Sequence, residues 1–86
     1  MVQKWYVYIL RCVDGTLYTG ITNHPERRLK AHNAGTASKY TRARRPVTMV
    51  YREEADSKGD ALRRELAIKA MSRQKKQSLV VSQYNK

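Results

Sequence analysis

Five side chains in this sequence could act on one anionic group: the phenols of Tyr8 and Tyr18, the guanidinium of Arg28, the imidazole of His32 and the carboxylate of Glu65. Phenol and imidazole take and pass protons, and a guanidinium makes charge-assisted hydrogen bonds to an oxyanion. A carboxylate at the border of an apolar helix face is costly to bury without a cation. For Glu65 that cation is either a metal ion or Lys69, one turn on.

The elements that must position these groups begin with a handover from strand to helix. Thr16 to Ile21 reads as a strand from its Thr, Tyr and Ile content, and Gly20 is an interior glycine where something must come close. Asn23 reads as an N-cap, Pro25 suits a first helical turn, and Glu26 sits where a capping box needs it. Gly35 stops the helix after Ala34, so Arg28 and His32 lie one turn apart on one face.

Upstream, Trp5 to Cys12 is dense in aromatic and β-branched residues and reads as the partner strand. Two hairpin registers fit. A two-residue Asp14-Gly15 turn places Tyr8 and Tyr18 on opposite faces of the sheet. A three-residue loop with Gly15 left-handed sets Tyr8 opposite Gly20 and brings Tyr8 and Tyr18 onto one face, about 7 Å apart as diagonal neighbours. The second is preferred, because a residue without a side chain beside two phenols opens a concavity.

Thr36 to Pro46 reads as a loop whose Lys39, Tyr40, Arg42, Arg44 and Arg45 could neutralise and stack on a nucleic-acid strand, with a solvated basic loop as the alternative. Val47 to Tyr51 reads as a third strand, followed by an acidic patch at Glu53, Glu54 and Asp56. Asp56 or Ser57 caps a helix over Lys58 to Met71, with Leu62, Leu66 and Ala70 on its apolar stripe and Ala61 and Ile68 beside it. Glu65 lies on the border of that stripe. A last helix runs from Ser72 as cap to about Gln83. The order ββαβαα implies an α/β (α+β) domain, a small three-stranded sheet flanked by helices, spanning residues 1–86.

A chain of 86 residues has room for one modest core and no separate specificity domain. Its formal charge of +11 has no folding rationale and points to a polyanion, nucleic acid before an anionic membrane. No apolar run approaches the roughly 20 residues needed to span a bilayer. The segment Trp5 to Leu10 is too short and too tyrosine-rich for a signal peptide, so a cytoplasmic location is expected. The lone Cys12 excludes an internal disulfide and a cysteine-based zinc finger, and reads as a buried small hydrophobe. Six tyrosines and no phenylalanine imply that several phenols have polar partners.

Taken together, these residues resemble the GIY-YIG endonuclease superfamily, most closely its short stand-alone bacterial members. Tyr6-Val7-Tyr8 stands where the first tyrosine motif would be, and Tyr18-Thr19-Gly20 where the second would be. Arg28 falls at the family's arginine, His32 one turn later at a position often His or Tyr, and Glu65 at the metal-binding glutamate. The first motif lacks its glycine and isoleucine, and Ile21 stands where some repair-nuclease relatives carry a lysine.

The resemblance implies a metal-dependent endonuclease that hydrolyses phosphodiester bonds in DNA with weak sequence preference, in repair or recombination. It implies one divalent ion on Glu65, Mg²⁺ first and Mn²⁺ as the alternative. Arg28 would hold a phosphate oxygen and His32 accept or relay a proton. Tyr8 is the favoured general base with Tyr18 orienting water or phosphate, and the exchange of those two roles stays open. The rival is a binding module for DNA or RNA that keeps the fold without the chemistry. A monomer is expected, with a dimer as the alternative.

Overall fold

The chain builds its sheet around its first strand. A computed structural model describes residues 4–84, so residues 1–3 and 85–86 of the domain expected over 1–86 lie outside the described residues. The elements are β1 (Trp5–Arg11), β2 (Leu17–Thr22), α1 (Pro25–Ala34), α2 (Lys39–Arg42), β3 (Thr48–Ala55), α3 (Lys58–Lys69) and α4 (Arg73–Tyr84). The strands pair in the order β2-β1-β3, and β1 is antiparallel to both neighbours. As expected, this is an α+β fold with a three-stranded sheet; the loop expected between α1 and β3 adds one short helix.

The hairpin takes the three-residue form. Gly15 is left-handed at φ 85°, the Cys12 N–H donates to the Thr16 carbonyl at 2.9 Å, and Tyr8 faces Gly20. Because side chains alternate along a strand, this register sorts the sheet into two cores. Val7 and Ile9 pack with Tyr51, Ala61, Ile68 and Val80 under α3 and α4. On the other face Tyr8, Leu10, Cys12 and Val47 pack with Tyr18, Leu29 and Met49 under α1. Cys12 is buried, as its strand pattern implied.

Four local expectations change. Asn23 is not the cap of α1: His24 holds that position with no side-chain cap, and the Thr22 hydroxyl takes the His24 N–H at 3.0 Å instead. Glu26 is therefore free of a capping box and pairs with Arg52 on β3 at 3.0 Å. The stretch from Thr36 to Pro46 contains α2, because the Ser38 hydroxyl accepts the N–H groups of Tyr40 and Thr41 and starts a single turn. β3 continues through the acidic patch to Ala55, since Glu53 meets both the Tyr51 hydroxyl at 2.7 Å and Arg64 at 3.0 Å.

The fourth change is the rotation of α3. Leu62 and Leu66, expected inside, are 42% and 67% exposed, whereas Ala61 and Ile68 are fully buried. The inward stripe is thus Ala61, Glu65 and Ile68, which places Glu65 between two core contacts rather than at their border.

Two side-chain amides fasten β3. Asn33 on α1 donates to the Val47 carbonyl at 3.0 Å and accepts the Val47 N–H at 2.8 Å. Gln83 on α4 does the same to Arg52, accepting its N–H at 3.1 Å and donating to its carbonyl at 2.7 Å. Each amide presents a donor and an acceptor as a neighbouring peptide would.

Candidate active site

The central group is the Tyr8 phenol, which lies across the backbone of Gly20. A Cβ built on Gly20 would stand 2.5 Å from the Tyr8 hydroxyl oxygen, so only glycine admits the ring here. The hydroxyl meets His32 Nε2 at 2.8 Å, and His32 Nδ1 meets the Thr41 hydroxyl at 2.8 Å. Tyr8, His32 and Thr41 are almost wholly buried. This chain of contacts joins β1, α1 and α2 through one imidazole.

The direction of the hydrogen bonds follows from what each group needs. The Thr41 hydroxyl lies 3.4 Å from the Ser38 carbonyl, which can only accept. Thr41 then accepts from His32 Nδ1–H, and Nε2 is left to accept the Tyr8 proton. With the other tautomer, the buried Tyr8 hydroxyl hydrogen would have no acceptor among the described residues. The assignment gives every group a partner.

Burial, and then the positive charge of Arg28, lowers the His32 pKa to about 4, so the imidazole is neutral at pH 7 and its Nε2 accepts the Tyr8 hydrogen bond. Burial also raises the Tyr8 pKa, with the Arg28 guanidinium pulling the other way and the charges of Tyr18 and Glu65 adding to the rise. Among the described residues, the buried Arg28 Nε has no hydrogen-bond partner, a donor left over near the Tyr8 phenol. A cleft of about 250 Å³ lined by Thr22, Asn23, His24, Arg27, Arg28 and Ala31 opens at the same place.

Tyr18 joins the group through its ring. Its centroid is 5.2 Å from that of His32, edge-on, and 5.9 Å from that of Tyr40, stacked. Glu65 is only 16% exposed in its side chain and lies 3.4 Å from Lys69, the ion pair its spacing allowed. Its negative charge adds to the rise in the Tyr8 pKa. No cluster of three or more His, Cys, Asp or Glu groups occurs among the described residues. A lone, half-buried carboxylate suits a hard divalent ion that keeps most of its waters, and does not suit a metal that needs a full protein cage.

The five basic-loop residues divide. Lys39 and Arg42 are exposed and outside the ion pairs of the described residues. Arg44 is committed to the protein: it pairs with Asp14 at 3.1 Å, donates to the Tyr40 carbonyl at 2.9 Å and lies 3.9 Å over the Tyr40 ring. Arg45 donates to the carbonyls of Arg42 and Asn33 and covers Gly35. Tyr40 itself is 38% exposed, with its ring already engaged by Tyr18 and Arg44.

Thr41 is the group that the residue pattern did not mark. Its only signal was Ser38, a capping residue inside a stretch read as loop, which turns Thr41 inward beneath His32.

Comparison with known proteins places this geometry. The GIY-YIG catalytic domain description matches residues 4–78. A UPF0213 protein of Staphylococcus haemolyticus is 52% identical over 79 residues, covering 92% of this chain and 96% of that one. A UPF0213 protein of the archaeon Natronomonas pharaonis is 51% identical over 83 residues, covering 96% and 98%. Among solved structures, the solution NMR structure of a protein from E. faecalis matches with a TM-score of 0.64 at 38% identity, covering 96% of this chain and 88% of that one. That of a Bacillus halodurans UPF0213 protein matches with a TM-score of 0.58 at 46% identity, covering 91% and 83%. A phenol seated on a glycine, with an arginine and a histidine on the following helix, thus occurs in a chain that belongs to the GIY-YIG family, alongside its UPF0213 members.

Proposed function

We propose that this protein is a metal-dependent endonuclease that hydrolyses phosphodiester bonds of DNA. The observation that carries the reading is the buried chain Tyr8–His32–Thr41, set beside the unpartnered Arg28 Nε. A packing tyrosine needs no neutral imidazole poised to accept its proton, and a surface arginine does not bury a free donor.

In this reading Tyr8 is the general base. As water attacks phosphorus, its proton passes to the Tyr8 oxygen while the Tyr8 proton passes to His32 Nε2, and Thr41 accepts from Nδ1–H throughout. The imidazolium so formed is the acid that returns the proton. A free phenol has a pKa of about 10 and burial raises that of Tyr8 further, so a stepwise phenolate is unfavourable and the two transfers are coupled. Arg28 donates to a non-bridging oxygen whose charge grows toward the transition state. Tyr18, edge-on to His32, orients the water or the phosphate. A divalent ion held by Glu65, Mg²⁺ before Mn²⁺, would supply Lewis-acid stabilisation of the leaving oxygen.

The test is nicking of supercoiled plasmid by wild type and Glu65→Ala with Mg²⁺, Mn²⁺ or EDTA, after both show matching circular dichroism. Nicking by wild type alone, and only with metal, is expected. Metal-independent binding with no nicking of plasmid, branched or single-stranded DNA would make the protein a binding module instead.

A further inference from the structure

Among the described residues the outermost strand β2 has no strand partner on its far side, and a cleft opens at each of its ends. One is the cleft at Arg27 and Arg28 described above. The other, about 210 Å³, lies at the hairpin end and is lined by Thr16, Leu17, Tyr40, Arg73 and Lys76. It draws on both layers of the molecule, Tyr40 from α2 on one face and Arg73 and Lys76 from α4 on the other. The six residues of β2 span about 20 Å between the clefts. Tyr18 and Gly20 lie on β2 between them, with Tyr8 opposite Gly20.

The charges of the hairpin-end cleft are not spent on the protein. Among the described residues every acidic side chain but that of Asp56 is held in an ion pair, and none of those pairs includes Arg73 or Lys76. The one carboxylate near the hairpin, Asp14, is taken by Thr16 and by Arg44. Glu54, Asp56 and Asp60 sit toward the opposite end of the sheet, where Trp5 pairs with Ala55. Arg73 is also held in place: Nη2 donates to the Gly15 carbonyl at 2.8 Å, which fixes the fork while its other N–H groups stay available. Lys76, three residues on, is half-buried on the same helix face.

We propose that Arg73 and Lys76 form a second phosphate site, which holds the nucleic-acid strand one to a few nucleotides away from the bond that is cut. The strand runs along the outer margin of β2 from this cleft, past Tyr8 and Tyr18, to the cleft at Arg27 and Arg28. Contacts to phosphate fix register without reading sequence, so this site positions the strand and does not select a base. The proposal rests on the same substrate class as the nuclease reading, but not on cleavage.

The test is binding of a short single-stranded oligothymidylate in EDTA, followed by fluorescence anisotropy across a salt series. Arg73→Ala with Lys76→Ala should weaken binding about tenfold and flatten the log–log salt dependence by about 0.7, the value for one phosphate on a single strand. Lys58→Ala with Arg63→Ala removes the same charge from the start of α3 at the far end of the sheet and should leave the slope unchanged. Equal effects from the two pairs, or none from the first, would overturn the proposal. Lys76→Glu leaves the Arg73 contact with Gly15 intact, so it guards against a folding defect and must also weaken binding. Because EDTA silences metal-dependent hydrolysis, loss of the nuclease reading and loss of this site give different results: a protein that binds through Arg73 and Lys76 yet never nicks DNA sinks only the first.

Discussion

Tyr8 and Gly20 are cross-strand partners, and the space a side chain at position 20 would fill is occupied by the Tyr8 phenol. Gly20→Ala puts a methyl group 2.5 Å from the hydroxyl oxygen and 2.7 Å from the ring carbon that bears it. The ring must swing off His32. The expected cost is about 1–3 kcal/mol of stability, with nicking down by about 10²-fold. Thermal melting and the plasmid assay check both, and an alanine variant that melts and cuts like wild type would remove the Tyr8–His32 contact from the mechanism.

Thr41→Val keeps the shape of the side chain but leaves His32 Nδ1–H without its acceptor. A buried donor left unmatched costs about 1–3 kcal/mol, and the imidazole loses the bond that holds its tautomer. Nitrogen NMR of His32 should report the Nδ1–H form in wild type and a mixture in Thr41→Val. Thr41→Ser should restore the single form together with the nicking rate. A serine variant as impaired as the valine would mean that the methyl group, not the hydroxyl, is what this position supplies.

Acid should unfold the protein through His32 before it does so through the carboxylates. The folded pKa is about 4 against 6.5 unfolded, so the unfolded chain binds the extra proton between those values and stability falls as pH drops through that window. The full effect is about 3 kcal/mol. Asp14 and Glu26 have their pKa values lowered, Asp14 chiefly by its hydrogen bonds to Thr16 and Glu26 by that to Arg52, so they act in the same direction only at lower pH. Melting temperatures measured from pH 7.5 to 4.5, at about half-unit steps, should slope in wild type and run nearly level in His32→Asn.

Asn33→Ala removes both hydrogen bonds that tie the start of β3 to α1 and leaves the Val47 N–H and carbonyl exposed to a buried setting. A loss of about 2–4 kcal/mol is expected from the two unmatched groups. Urea denaturation with an unchanged m-value is the measurement; a shift below 0.5 kcal/mol would show that water replaces the amide at no cost.

Much of this site was legible because its parts are local. Asp14-Gly15 and the alternation from Trp5 to Cys12 narrowed the hairpin to two registers, and the preferred one, with Tyr8 opposite Gly20, is the one that forms. The Pro25 to Gly35 signals set Arg28 and His32 on one face of α1. What could not be read depends on tertiary contacts. The α3 stripe runs through Glu65 because Ala61 and Ile68 fill the space under the sheet, and Leu62 and Leu66 are left outside at a cost that hydropathy counting does not foresee. β3 runs on through Glu53 because Arg64 on α3 meets that carboxylate from across the fold. A single-turn helix such as α2 has no periodicity to detect, so Thr41 stayed hidden although Ser38 announced its start.

The amide of Gln83 gives the sheet a handedness of access. Its carboxamide occupies the Arg52 peptide group on the margin of β3, the hydrogen-bonding place a further strand would need. That margin is stoppered from within the chain at Arg52, and among the described residues only β2 remains for edge-on pairing. A second copy of the chain that docked by sheet extension would have to use the margin along which the polyanion is proposed to lie, so self-association of that kind and substrate occupancy are mutually exclusive.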